Sequence, residues 1–178
     1  MRKIFLLSFM IIAFSSFGQQ LPIDEETKKI TYTEVVDAPG SSKDDLYLRV
    51  KNLGITGTNV KADNKEEGTY VYTGQFGVKY PSPVKGMTHE GTVSYTFAVF
   101  LKDGKYKYVV TDLVHNSVKG NGGNLENTIP ACNKYTLSME GWAAIKNESD
   151  KYIKNLIQNF KSNMKGSAGD IPKNTNDW

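Results

Sequence analysis

The dipeptide Asp103-Gly104 constrains the fold more than any other feature of the chain. It separates two stretches, 93–101 and 106–110, in which apolar residues occupy every second position. An Asp-Gly pair accepts the two positive φ angles of a type I′ turn, which joins neighbouring antiparallel strands. A slip of one residue would set apolar side chains against lysine and threonine positions, so we expect a single register. The predicted pairs on the apolar face are Leu101–Tyr106, Val99–Tyr108 and Phe97–Val110.

The opposite face of this hairpin is more polar. A sheet of this kind buries its apolar face and leaves the other in contact with water. The predicted pairs on the polar face are Phe100–Lys107, Ala98–Val109, Thr96–Thr111 and Ser94–Leu113, and the same register sets His115 opposite Thr92.

Two helices flank the strands. The first is predicted to begin at Ser42, whose hydroxyl can cap a helix, and to end at Gly54. The second is predicted to begin at Ser149 and to end at Gly166. Each has one apolar stripe, which suits a helix lying on a sheet. The stripes are Leu46, Val50 and Leu53 in the first helix, and Tyr152, Ile153, Leu156, Ile157, Phe160 and Met164 in the second.

The order of these elements predicts the fold class. Further strands are expected at 30–36, 60–63 and 70–80, where β-branched and aromatic residues alternate with polar ones. The sequence therefore reads β-α-β-β-β-β-α. Two helices with one stripe each can cover one face of an antiparallel sheet of about five strands. We predict an α+β two-layer sandwich with both helices on one face, formed by a single domain at 19–165 and followed by a flexible C-terminal tail at 166–178.

The first eighteen residues have the pattern of a cleaved signal peptide. Arg2 and Lys3 precede the apolar run 4–14, which is shorter than the roughly twenty residues needed to span a bilayer. Small residues at Ser16 and Gly18 suit cleavage after Gly18. Loss of this segment reduces 22 basic residues to 20, against 19 acidic ones. We expect a nearly neutral mature chain in the periplasm or outside the cell, with no transmembrane segment.

Residues that carry chemistry are few. His89 and His115 have no His or Cys partner at ligand spacing, and we expect both at the surface near the ends of the sheet. Cys132 is the only cysteine, so it closes no internal disulfide, and a nucleophilic role would need a base beside it. We predict no catalytic residue, no metal and no cofactor. An envelope hydrolase that uses Cys132 or a histidine is the alternative.

Part of the chain resembles a known exported bacterial family, domain of unknown function 4468. The resemblance covers about residues 21–116 and departs at Leu53, where we expect an aromatic residue. It implies export and a TATA-binding-protein-like fold, and it implies no activity. Its matching features are Leu21-Pro22, Ile30-x-Tyr32-x-Glu34-Val35-Val36, Ser42-Lys43 with Leu46-Tyr47, and Lys102-Asp103-Gly104-Lys105-Tyr106.

These observations favour a non-catalytic binding or interaction module of the cell envelope, whose partner is an envelope protein or a ligand. A nearly neutral chain without an array of Arg and Lys gives no reason to expect nucleic acid. The strand tyrosines Tyr95, Tyr106 and Tyr108 are either core residues or an aromatic ligand platform. The polar sheet face is either a binding surface or a plain solvated face. Its candidate binding residues are Thr73, Gln75, Ser94, Thr96 and Thr111.

Overall fold

A computed structural model of the chain describes residues 21–53 and 59–165. The predicted signal peptide, the predicted tail at 166–178 and the predicted helix stop at Gly54 lie outside these residues. The elements in chain order are β1 (Tyr32–Asp37), α1 (Lys43–Asn52), β2 (Asn59–Asn64), β3 (Thr69–Pro81), β4 (Thr88–Lys102), β5 (Lys105–Asn116), β6 (Gly123–Asn124) and α2 (Met139–Met164).

The strands form one antiparallel sheet in the order β1-β5-β4-β3-β2, with the two-residue β6 also paired to β5. The predicted α+β architecture is confirmed. The hairpin at its centre has the predicted register from Leu101–Tyr106 to Thr96–Thr111. Gly104 has a φ of 73°, but the φ of Asp103 is not positive, so the two-residue turn is present and the predicted type I′ geometry is wrong.

One face of the sheet, here called the inner face, is buried under the helices. Phe160 of α2 packs on Phe97 with the ring centroids 4.9 Å apart, and it also meets the rings of Tyr106 and Tyr108. Tyr95, Tyr106 and Tyr108 are at most 5% exposed. These three tyrosines are therefore core residues, and they do not form an exposed aromatic platform.

The N-terminus of α1 has the predicted cap. The Ser42 hydroxyl accepts a hydrogen bond from the backbone N–H of Asp45, and the Asp45 carboxylate accepts one from the backbone N–H of Ser42. This reciprocal pair satisfies two backbone donors that would otherwise have no partner in the helix. It holds the helix with Leu46 and Val50 in the core.

The predicted start of α2 at Ser149 is wrong. The helix begins ten residues earlier, at Met139, where the Ser138 hydroxyl accepts a hydrogen bond from the backbone N–H of Gly141. Ser149 lies inside the helix, fully buried, and donates to the carbonyl of Ile145 at 2.8 Å. The polar run 146–149 interrupts the apolar pattern in the sequence and hides the continuity of the helix.

A β-bulge changes the end of the central hairpin. Asp112 has a φ of 56°, and one extra residue on β5 shifts the register beyond Thr96. Ser94 therefore pairs with Val114, and the predicted pairing with Leu113 is wrong. His115 likewise pairs with Val93 and not with Thr92. The shift turns Leu113 and His115 toward the inner face, where both are fully buried.

His115 consequently joins the core, contrary to the expected surface position. Its ring lies edge-to-face with Tyr80 and Trp142, at centroid distances of 5.3 and 6.2 Å. Its Nδ1 accepts a hydrogen bond of 3.0 Å from the backbone N–H of Gly122, which anchors the loop after β5. Burial lowers the pKa of His115 below its usual 6.5. His89 is half-buried.

Within residues 21–53 and 59–165, no helix has the length and apolar character needed to cross a membrane.

We expect Ser42→Ala to lower the free energy of unfolding by about 1 kcal/mol, because it removes the side chain that caps α1. Ser41→Ala is the matched control, since the hydrogen bonds of Ser41 in the structure use its backbone. It should change the stability by less than about 0.5 kcal/mol. Urea denaturation followed by circular dichroism measures both values. Equal effects of the two variants would contradict the capping role.

A second prediction concerns pH. Because the folded chain favours neutral His115, its contribution to stability is complete above pH 6.5 and is lost as the pH falls from 6.5 toward the lower folded pKa. We expect the free energy of unfolding to decrease between about pH 7 and about pH 5, and to decrease less in His115→Gln, which cannot titrate in this range. Urea denaturation at a series of pH values gives both slopes. An equally steep slope in the variant would show that other groups cause the loss.

Candidate functional site

The five predicted binding residues lie together on the face of the sheet opposite the helices, here called the outer face. Thr73, Thr96 and Thr111 form one row across β3, β4 and β5, because Thr96 is paired with both of the others. Gln75 and Ser94 are paired in the neighbouring row. Gln75 is exposed and the other four are half-buried. The structure thus brings all five into one continuous patch.

These side chains differ in the hydrogen bonds that their polar groups already form within the protein. The Thr111 hydroxyl donates to the carbonyl of Ile30 at 3.1 Å and lies 3.3 Å from the hydroxyl of Thr31. It therefore joins the segment before β1 to the sheet. Ser94 and Thr73 make only long contacts of 3.5 Å to backbone carbonyls. Within residues 21–53 and 59–165, the side chains of Thr96 and Gln75 form no hydrogen bond, so they are the groups best placed to meet a partner.

Loop 117–137 leaves the patch open. The backbone N–H of Gly122 bonds to buried His115, and the indole N–H of Trp142 in α2 donates to the carbonyl of Asn127. The loop is thus held at the edge of the sheet and against α2. Beside it, at one end of the outer face, an open hollow of about 790 Å³ includes Gly77, Thr92 and Asn116 among its lining residues.

The other end of the outer face is apolar and basic. Val35 and Phe100 are 59% and 42% exposed there. They line a hollow of about 330 Å³ together with Lys102, Lys105 and Lys107. In the described part of the chain, none of these lysines forms a salt bridge. The register of the central hairpin is enough to place Phe100 and Lys107 on this face. Val35 lies beside them because β1 pairs with β5, and this pairing was not predicted from the sequence.

A third hollow lies between the N-terminal segment and α2. It has a volume of about 250 Å³, and Leu21, Ile23, Glu126 and Lys146 are among its lining residues. The ammonium of Lys146 donates to the carbonyl of Asn127 at 2.8 Å and lies over the ring of Trp142. Burial lowers the pKa of Lys146. Because its ammonium forms this hydrogen bond and this cation–π contact, Lys146 acts here as a structural residue.

Among the residues that the structure describes, none acts as a base hydrogen-bonded to Cys132. Its thiol is half-buried, and its one hydrogen bond in the described residues is a long contact of 4.0 Å to the carbonyl of Asn133. The Nδ1 atom of His115 is occupied by the backbone of Gly122. Across residues 21–53 and 59–165, no three His, Cys, Asp or Glu side chains are grouped so that they could hold a metal ion. This arrangement gives the hydrolase alternative no support.

Comparisons with known proteins agree with the fold. A TBP-like protein from Parabacteroides distasonis has a TM-score of 0.60 and 16% identity over 78% of this chain and 94% of its own. A DUF4468 family protein from Bacteroides ovatus has a TM-score of 0.61 and 12% identity over 82% of this chain and 92% of its own. At such low identities the likeness concerns the fold alone. A search of curated proteins finds no match.

The sequence comparison covers the sheet up to the end of β5. Residues 32–116 match the model of a family described as a domain of unknown function (DUF4468) with TBP-like fold. The matched span begins at the first residue of β1 and ends at the last residue of β5. It therefore includes α1 and the whole outer patch. Residues 32–116 of this chain therefore match the DUF4468 family model, and the fold of the chain is TBP-like.

Proposed function

We propose that this protein is an exported, non-catalytic module of the cell envelope that binds a partner through the outer face of its sheet. The observation that carries the proposal is the uncovered patch around Thr96. Both helices lie on the inner face, and loop 117–137 is held at the sheet edge. A patch that no part of the described chain covers is available for a second molecule.

The chemistry of the patch favours a neutral partner with both polar and apolar groups. At its centre the side chains are hydroxyl, amide and small apolar groups, including Thr96, Gln75 and half-buried Ala98. Such a surface loses little on desolvation compared with a charged one. It offers donors and acceptors to a flat surface or an added segment of an envelope protein. On this face Lys102, Lys105 and Lys107 lie at one end, and Lys79 toward the other end is paired with Glu90, which is a poor match for a nucleic-acid backbone.

Export is the second part of the proposal and rests on residues 1–18. A basic start, a short apolar run and small residues before Gln19 are the features of a cleaved signal peptide. The mature chain would consist of one domain at 19–165 and a flexible tail at 166–178. A cell-envelope location supplies the partner that the outer patch would bind.

We expect Thr96→Lys to abolish capture of the partner, because it places an unpaired charge at the centre of the patch. The assay is affinity capture from the native envelope fraction, with quantitative mass spectrometry of what is retained. Asn159→Lys is the matched control, since it makes the same change of charge on an exposed position of α2. Circular dichroism melting shows that both variants fold. A partner retained equally by Thr96→Lys and the wild type would refute the patch.

Export has its own test. The intact mass of the protein purified from its native cells should correspond to a chain that begins at Gln19. Replacement of Ser16 and Gly18 by bulky residues should block processing, because signal peptidase requires small side chains at these positions. A native protein that still begins at Met1 would contradict the exported assignment without affecting the fold.

A further inference from the structure

We propose that the chain forms a two-fold symmetric dimer in which β1 pairs antiparallel with β1 of a second copy. β1 is the end strand of the sheet, and its side facing away from β5 pairs with no other strand in the described residues. The segment before it folds back so that the backbone N–H of Thr31 donates to Pro22 at 2.9 Å. That pairing stops before Tyr32, which leaves the edge from Tyr32 to Asp37 open.

The two edges of the sheet differ in how they are protected. The β2 edge has a bulge between Val60 and Ala62, where Lys61 is exposed. Bulges and edge lysines are the usual means by which proteins prevent strands from adding to an edge. β1 has the sequence YTEVVD, which contains no lysine, proline or glycine, and its register with β5 is continuous. β1 is short and carries Glu34 and Asp37, but without a bulge or a lysine and with an exposed valine it is the less protected of the two edges, which favours pairing with another strand.

Symmetry and side-chain chemistry select one register. Residues that are opposite each other in an antiparallel pair lie on the same face of the sheet, whereas neighbouring residues of one strand lie on opposite faces. A two-fold axis perpendicular to the sheet therefore passes between one residue of β1 and the same residue of the second copy. The longest overlaps place either Glu34 or Val35 on the axis. Glu34 would face a second Glu34, although its carboxylate is already bound by Lys161 and by the Tyr108 hydroxyl. Val35, which is 59% exposed, would instead gain an apolar contact. The dimer therefore pairs Val35 with Val35 of the second copy.

Charge favours the antiparallel arrangement. Glu25 and Glu26 are exposed in the turn that precedes β1, and they form no salt bridge within the described residues. At the far end of β1, Asp37 lies opposite Lys105, which forms no salt bridge in that part of the chain, while Lys107 lies opposite Val35 nearer the axis. Antiparallel pairing brings Glu25 and Glu26 of each copy toward the end of β1 that lies beside Lys105 of the other. Parallel pairing would bring like charges together.

The test uses protein purified after native processing in its own cells. Sedimentation velocity from about 5 µM to about 0.5 mM should show a reversible monomer–dimer equilibrium. Val35→Lys and Val35→Glu should each weaken the dimer at least about tenfold, because each sets like charges on the axis. A mixture of the two variants should restore a dimer. Val60→Lys on β2 is the matched control, since Val60 is 50% exposed and the variant should dimerise as the wild type does.

Hydrogen exchange provides a measurement that needs no variant. Backbone amides in β1 should become better protected as protein concentration rises, while amides in β2 should not. A wild-type chain that is monomeric throughout the concentration range would overturn the proposal. So would a dimer that tolerates both charges at Val35, or protection that rises in β2 and not in β1.

Discussion

Burial of the inner sheet face by α2 is the interaction on which the rest of the structure depends. Phe97 lies at its centre, fully buried beneath Phe160 and stacked on Tyr72 at a centroid distance of 5.2 Å. A buried side chain of this size contributes roughly 1.5–3 kcal/mol, compared with about 1 kcal/mol for the Ser42 cap. Packing across the sheet therefore dominates, and it commits both helices to the same side.

The open outer face follows from this one-sided packing. Within residues 21–53 and 59–165, α1 and α2 both lie on the inner face, which leaves loop 117–137 as the long connection near the other side. That loop is drawn to the sheet edge and α2 by His115 and Trp142. The buried histidine thus affects the candidate binding patch from a distance, because it holds loop 117–137 at the edge of the sheet.

Local sequence patterns predicted the centre of the fold and much of the patch. Strict alternation around Asp103-Gly104 leaves one sensible register, so Thr96 and Thr111 could be placed on the outer face before the structure was known. The bulge at Asp112 could not be predicted in this way, because its carboxylate is bound by Lys29, which is distant in sequence. The start of α2 was missed because the polar run 146–149 hides the continuity of its apolar pattern, and the burial of His115 was missed because it follows from the bulge.

Low sequence identity to the structural neighbours shows how little this fold depends on particular side chains. Two proteins that share the fold at 16% and 12% identity show that many different side chains can build it. A core requires apolar groups of suitable volume more than particular residues. Val35 and Phe100 lie outside that core, and their exposed surface adds nothing to the burial of apolar area that stabilises the fold. These exposed groups are the ones that the proposed β1–β1 contact would use.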